Sequence, residues 1–246
     1  MASQRTGEDF GFEFVAMACP GQVRLAGLAL DNARTLAQQA IDEIRRIETK
    51  YSRYRADSVV SRLNGAAGGA PVEVDEETLH LLGYAGRLHA LSDGLFDITS
   101  GVLRRAWDFK QARAPQAGEI EALLPLVGWG RVEIEGARVR LARAGMELDF
   151  GGFGKEYAVD RAASLLQGAG AAHGLVNLGG DLRALGARPD GQPWSFGIAH
   201  PRRADAVVAS IEIATGALAT SGDYERFFER DGQRYCHILD PRSGWP

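Results

Sequence analysis

The chain has 246 residues, enough to bury a sizeable core as one large domain or two small ones. Its 28 basic and 32 acidic residues give a formal charge of −4, and no Lys/Arg run supplies the footprint that nucleic acid needs, so nucleic-acid binding is disfavoured. Cys19 and Cys236 are too few for a disulfide framework or a zinc cluster, and no stretch approaches the ~20 apolar residues of a membrane span. The first residues carry Glu8, Asp9 and Glu13 and no apolar signal segment, and Ala16-Met17-Ala18-Cys19 lacks the hydrophobic run of a lipoprotein signal, so a soluble, cytoplasmic protein is expected.

After a polar start, residues 10–15 and 22–28 alternate or run apolar as strands do, with Pro20-Gly21 as the turn between them. Asp31 or Asn32 then caps a helix whose Leu36, Ala40, Ile41, Ile44, Ile47 and Tyr51 fall at helical spacing. A Gly- and Ala-rich loop over 65–70 leads to Val72 and Val74. Asp75 caps a second helix carrying Leu79, Leu82, Leu88 and Leu91, which Asp93-Gly94 ends. Farther on, Val132 and Ile134 stand opposite Val139 and Leu141 around Glu135-Gly136-Ala137, the pattern of a hairpin.

Residues 147–150 read as a strand that enters Gly151-Gly152-Phe153-Gly154-Lys155. The helix after it carries Tyr157, Val159, Ala162, Ala163, Leu165 and Leu166 and ends near Gly168 and Gly170. Glycines permit close approach of a ligand to the backbone, and a helix start aims N–H groups and a positive dipole at an anion, so a phosphate-bearing ligand is one reading of this segment. A packing turn between strand and helix is the other. The segment is not a Walker loop, because Glu156 follows Lys155 where that motif needs Ser or Thr. Further strands fall at 175–178, 194–198 and 207–213, and 226–239 reads as a hairpin turning at Asp231-Gly232. Strands and helices mix without the alternation of a doubly wound sheet, which predicts an α+β fold with mixed or antiparallel sheets and packed helices. No repeat or linker divides the chain, so residues 1–246 read as one domain.

Polar residues beside glycines and strand ends mark five segments where function would concentrate. They begin at Tyr51, Ser92, Leu148, Val176 and, near the end, Ala219 with His237. Each has a structural reading as well. Tyr54 is then a half-buried aromatic, Asp97 a helix cap before Ile98 and Thr99, Asp181 a turn residue after Gly179-Gly180, and His237 a core histidine alternating with Tyr235.

Taken in order, six separated motifs resemble those of the FAD:protein FMN transferase family, the ApbE-type flavin transferases, from about Met17 onward. They are Ser52-Arg53-Tyr54 with Leu63-Asn64, Gly94 to Thr99, Leu148 to Asp160, Val176 to Asp181, Thr220 to Tyr224, and His237 to Pro241 with Gly244. The resemblance implies an ApbE-like fold and an enzyme that splits the pyrophosphate of FAD with Mg²⁺. FMN passes to a Thr or Ser hydroxyl of a target flavoprotein, and AMP is released. It also implies that Met17, Tyr54, Leu95, Phe96, Asp97, Asp149, Lys155 and Ile238 line the FAD site. Lys155 and His237 are the implied catalytic residues, and Gly152 offers its carbonyl to the metal. Pyrophosphate chemistry suits such a set, since it needs in-line positioning and fixed charge more than covalent work.

Two departures accompany the resemblance. Met17 is followed by Ala18-Cys19 where the family often has Gly-Thr. The Asp/Thr segment that completes the family's metal site does not occur before Trp245-Pro246, so a C-terminally incomplete chain is expected. Two alternatives therefore stand beside the transferase: an FAD-binding or carrier protein with impaired catalysis, and a pyrophosphatase giving FMN and AMP.

Overall fold

The computed structural model describes residues 3–6, 9–203, 206–223 and 226–246. The elements in chain order are β1 (Ser3–Thr6), β2 (Asp9–Ala16), β3 (Cys19–Ala26), α1 (Leu30–Tyr51), α2 (Val59–Gly65), β4 (Val72–Glu73) and α3 (Glu76–Leu91). A 3₁₀ segment, Ile98–Arg105, precedes α4 (Ala117–Leu123), β5 (Val132–Glu135), β6 (Arg138–Leu141) and α5 (Gly154–Gly168). Strands β7 (His173–Leu178), β8 (Asp181–Gly186), β9 (Trp194–Ala199), β10 (Val207–Ile213), β11 (Gly216–Leu218), β12 (Phe227–Arg230) and β13 (Gln233–Cys236) follow. All pairings between these strands are antiparallel. The α+β expectation thus holds.

The described residues group into two compact units, each assembled from two stretches of chain. Residues 1–49 and 153–222 form the first, and 50–152 with 223–246 the second. The first unit holds a six-stranded sheet in the order β1-β2-β3-β7-β8-β11 and a separate pair, β10-β9. Period-two alternation buries Phe10, Phe12, Phe14 and Ala16 on one face of β2 while Val15 stays exposed. Helix α5 packs on β7 and β8 and buries Val159, Leu166 and three alanines, Ala158, Ala162 and Ala163, whose small side chains let it lie close to the sheet.

The second unit carries the sheet β4-β6-β5 and the hairpin β12-β13. Around Trp107 an aromatic cluster gathers Phe109, Phe228, Tyr235 and Trp245, with ring centroids 5.3 to 6.4 Å from the Trp107 ring. The Trp107 indole N–H donates to the Gly244 carbonyl at 2.9 Å, which satisfies the one polar atom of this buried ring.

Several sequence expectations need correction. Pro20-Gly21 lies inside β3, and the hairpin turns instead at Met17-Ala18, where φ is +49° and +59°. Two-residue hairpin loops that match strand twist place one or both central residues in the left-handed region, and the ladder from Asp9↔Ala26 to Ala16↔Cys19 leaves just these two to do so. Asp31 sits in the first turn of α1 and does not cap it. Residues 147–150 form no strand: the Leu148 N–H donates to the Asn64 side chain at 2.7 Å and the Asp149 N–H to the Ile98 carbonyl at 2.9 Å, so no ladder partner is used. Helix α3 buries Thr78, Leu81, Leu82 and Ala85, whereas Leu91, expected on its apolar face, is exposed. Asp75 does cap α3, accepting from the Thr78 N–H at 3.0 Å. The hairpins at 131–141 and 226–239 also form as expected, the second turning at Asp231-Gly232 with φ of +53° and +74°.

Candidate functional site

In the second unit, Tyr54 is 83% exposed, not half-buried, and the Arg53 guanidinium lies 4.8 Å from its ring centroid. Tyr54 and Arg53 line a cavity of about 300 Å³ together with Asn64, Arg104 and Glu147. Leu95 and Ile238 are also exposed apolar side chains.

The turn before Leu95 has left-handed Asp93 and Gly94, and the Phe96 N–H donates to the Ser92 hydroxyl at 2.8 Å. Asp97 is buried and its carboxylate is engaged by the fold. One oxygen accepts from the Thr99 N–H at 2.8 Å and the Thr99 hydroxyl at 2.6 Å, and the other from the Trp129 N–H at 2.9 Å. This is the capping role read as one alternative from sequence. Asp97 therefore fixes the backbone of 95–99.

Asp149 stands differently. Its Oδ1 accepts from the Gly151 N–H at 3.0 Å, and Arg104 Nη2 lies 3.0 Å from Oδ2. That approach lacks hydrogen-bond geometry, so the contact is an ion pair, and Nη2 has no acceptor among the described residues. Burial pushes the Asp149 carboxyl above its ordinary range, against the opposing pull of the Arg53 charge and the Gly151 N–H. At Gly152 a Cβ would lie 2.8 Å from the Phe96 ring, so only glycine leaves both backbone and ring in place.

His237 follows the end of β13 rather than alternating within it. Its N–H donates to the Arg226 carbonyl at 3.0 Å, and its Nδ1 lies 3.2 Å from the same oxygen. A carbonyl only accepts, so Nδ1 carries the proton and Nε2 is the basic nitrogen of the neutral ring.

In the first unit, the strained Met17 is held by donation of its N–H to Glu48 Oε1 at 2.6 Å. Lys155, on the first turn of α5, donates to Oδ2 of Asp181. Asp181 is buried, and its Oδ1 accepts from the Thr220 N–H at 2.9 Å. The start of α5 has no side-chain cap. Beside Lys155, Glu156 Oε2 is buried without a hydrogen-bond partner among the described residues.

Sequence reasoning did not single out Arg104, Glu48 or Glu156. The signal for Arg104 was available only in its i, i+3 relation to Gly101, a small residue placed where a larger one would block the pair.

Among the described residues no group of three or more His, Cys, Asp or Glu is placed to hold a metal ion. The Gly152 carbonyl alone does not fill the six-oxygen shell of Mg²⁺. No helix among the described residues is long and apolar enough to cross a membrane.

Antiparallel sheets with packed helices define the class as an α+β protein. The chain belongs to the ApbE family, whose sequence model matches residues 17–246. It is 34% identical over 242 residues to a Klebsiella pneumoniae protein named FAD:protein FMN transferase, covering 96% of this chain and 73% of that protein. A Vibrio cholerae protein of the same name is 34% identical over 220 residues, with 87% of this chain and 66% of that protein covered. The crystal structure of the ApbE protein from Thermotoga maritima superposes with a TM-score of 0.89 at 36% identity, covering 97% of this chain and 78% of that one. The chain thus spans about two thirds to three quarters of the length of these relatives.

Proposed function

We propose that the chain is a FAD:protein FMN transferase, moving FMN from FAD to a Thr or Ser hydroxyl of an acceptor flavoprotein and releasing AMP. The observation that carries the reading is Lys155, held by a buried carboxylate on the first turn of the helix after the glycine loop, in a chain of this family. Relatives named for this reaction support it. Residues 1–246 are read as one such domain, since each unit is built from two separated stretches of chain.

In the proposed reaction the acceptor hydroxyl oxygen attacks the phosphorus on the FMN side of the pyrophosphate. The new P–O bond forms as the bond to the bridging oxygen breaks, and AMP leaves with that oxygen. Nε2 of His237 takes the hydroxyl proton. Lys155 offers a fixed cation to the phosphate oxygens, and N–H groups of the glycine loop orient them. Tyr54, Leu95, Phe96 and Ile238 supply ring-covering surface. Asp149 accepts from a hydroxyl or ring N–H, Asp97 holds the 95–99 backbone, and Met17 presents the tip of its hairpin. Mg²⁺ belongs to the proposal as neutraliser of phosphate charge. Its implied ligand in this chain is the Gly152 carbonyl.

Incubation with FAD, Mg²⁺ and a flavoprotein fragment bearing an acceptor Thr, followed by mass spectrometry, tests the reading. A covalent FMN adduct with stoichiometric AMP is expected. FAD consumption giving free FMN would favour the pyrophosphatase. Tight FAD binding with neither AMP nor adduct would favour the carrier.

A further inference from the structure

The Val176 to Asp181 motif, which ends on the carboxylate that holds Lys155, is built with more constraint than a turn needs. Gly179 and Gly180, with φ of +63° and +93°, join β7 to β8 in a two-residue loop. Asn177 Oδ1 accepts the Gly180 N–H at 3.0 Å and holds the loop closed. A Cβ at Gly179 would lie 2.8 Å from Cys19 Sγ, and one at Gly180 would lie 2.8 Å from Thr220 Oγ1. The loop is therefore pressed between the β3 start and the Thr220 segment. The next residue, Asp181, has a side chain only 2% exposed, and both its oxygens are used.

Those two uses join two separate motifs. Oδ2 takes the Lys155 ammonium from the start of α5, and Oδ1 takes the Thr220 N–H from the segment after β11. A buried ion pair returns little net stability compared with apolar packing, so stability alone is a poor reason to keep a carboxylate here. Orientation is a better one. A lysine has a flexible four-carbon stem and loses rotamer entropy when fixed, a cost that a partner on a rigid strand can meet in advance.

Building on the transferase reading, we infer that Asp181 is a positioning residue, which aims the Lys155 ammonium at the phosphates and locks the Thr220-Ser221 segment to the same carboxylate. It acts through Lys155 and touches no reacting atom.

The test uses the full chain with Asp181→Asn, Lys155→Met and the double variant. Asn keeps the size and an oxygen for the Thr220 N–H but removes the charge. Two readouts are taken. The first needs no flavin: acylation of Lys155 by limiting acetic anhydride, read by mass spectrometry against exposed Lys110, should rise severalfold in Asp181→Asn. The second is kcat/KM for FAD, which should fall about 10- to 100-fold in Asp181→Asn, the scale of a misplaced catalytic group. The double variant should be no worse than Lys155→Met alone. Unchanged Lys155 labelling, or losses that multiply in the double variant, would overturn the inference. A wild-type chain with no transfer activity would instead count against the transferase reading, and the labelling would still decide whether Asp181 holds the Lys155 ammonium. If Asp181→Asn does not fold, Asp181→Glu takes its place: it keeps the charge but moves the ammonium, so labelling should stay low while kcat/KM falls at least about tenfold. Wild-type kinetics in Asp181→Glu would overturn the inference.

Discussion

Arg104 and Asp149 meet across a space that only a glycine at position 101 leaves open. A Cβ on Gly101 would lie 2.7 Å from Asp149 Cβ and 3.4 Å from Arg104 Nη2, while the two charged groups approach to 3.0 Å. The Gly101→Ala change should therefore destabilise the protein by about 1–3 kcal/mol, the usual range for overpacking a filled site. Gly65→Ala, with nothing within 4 Å of its Cβ, is the control and should be neutral or slightly stabilising. Denaturant midpoints at constant slope measure both, and equal midpoints would show that the pair tolerates separation.

Glu156 gives a pH prediction. Burial is the largest influence and, with the Asp181 charge, holds its carboxyl above the ordinary value of 4.5, against its own backbone N–H and Lys155. A group whose folded pKa is raised stabilises the fold fully below its unfolded value and loses that contribution as pH rises through the folded one. The Glu156→Gln change removes this dependence. Its stability relative to wild type should thus improve as pH climbs from below 4.5 into the neutral range. Urea titrations at a series of pH values should show the gap opening upward; a constant gap would mean the carboxylate is not under strain.

For His237, the Nδ1 proton directed at the Arg226 carbonyl leaves Nε2 as base. Replacing it by Gln should lower the single-turnover rate of FMN transfer about 10²- to 10⁴-fold, the range for loss of a general base, with little change in FAD dissociation constant. Equal losses in rate and affinity would move His237 from proton transfer to binding.

The hairpin tip offers a simple stability test. Ala18 is exposed and left-handed at φ +59°, a conformation that is uphill for any residue with a Cβ. Ala18→Gly should raise the unfolding free energy by about 0.5–1 kcal/mol, net of the added chain entropy of glycine. A lower thermal midpoint would indicate that Ala18 makes a contact worth more than its strain.

Much of the fold was legible where local chemistry and tertiary structure agree. The cap at Asp75, the Asp231-Gly232 turn and the helix after the glycine loop each carry their own signal in a few residues. The Met17-Ala18 turn was not, because neither residue favours positive φ and the register of β2 on β3 imposes it. Residues 147–150 look like a strand because Met146, Leu148 and Phe150 alternate into the core, but their backbone partners are a side chain and a lone carbonyl, which no local pattern reveals. At the site, motif residues such as Lys155 and Asp149 stood out. The groups that govern them did not: Arg104 lies 45 positions from its carboxylate, and the Lys155 partner Asp181 lies 26 away and reads as an ordinary turn residue.

The interleaving of the two units sets an order of birth. The first unit has all its chain once residue 222 has been synthesised, whereas the second, begun at residue 50, still lacks the hairpin that covers Trp107. Domains made on the ribosome fold as their segments emerge. Trp107 is therefore made 121 residues before Phe228 and 138 before Trp245, and until those arrive the nascent second unit leaves the Trp107 ring without its aromatic cover.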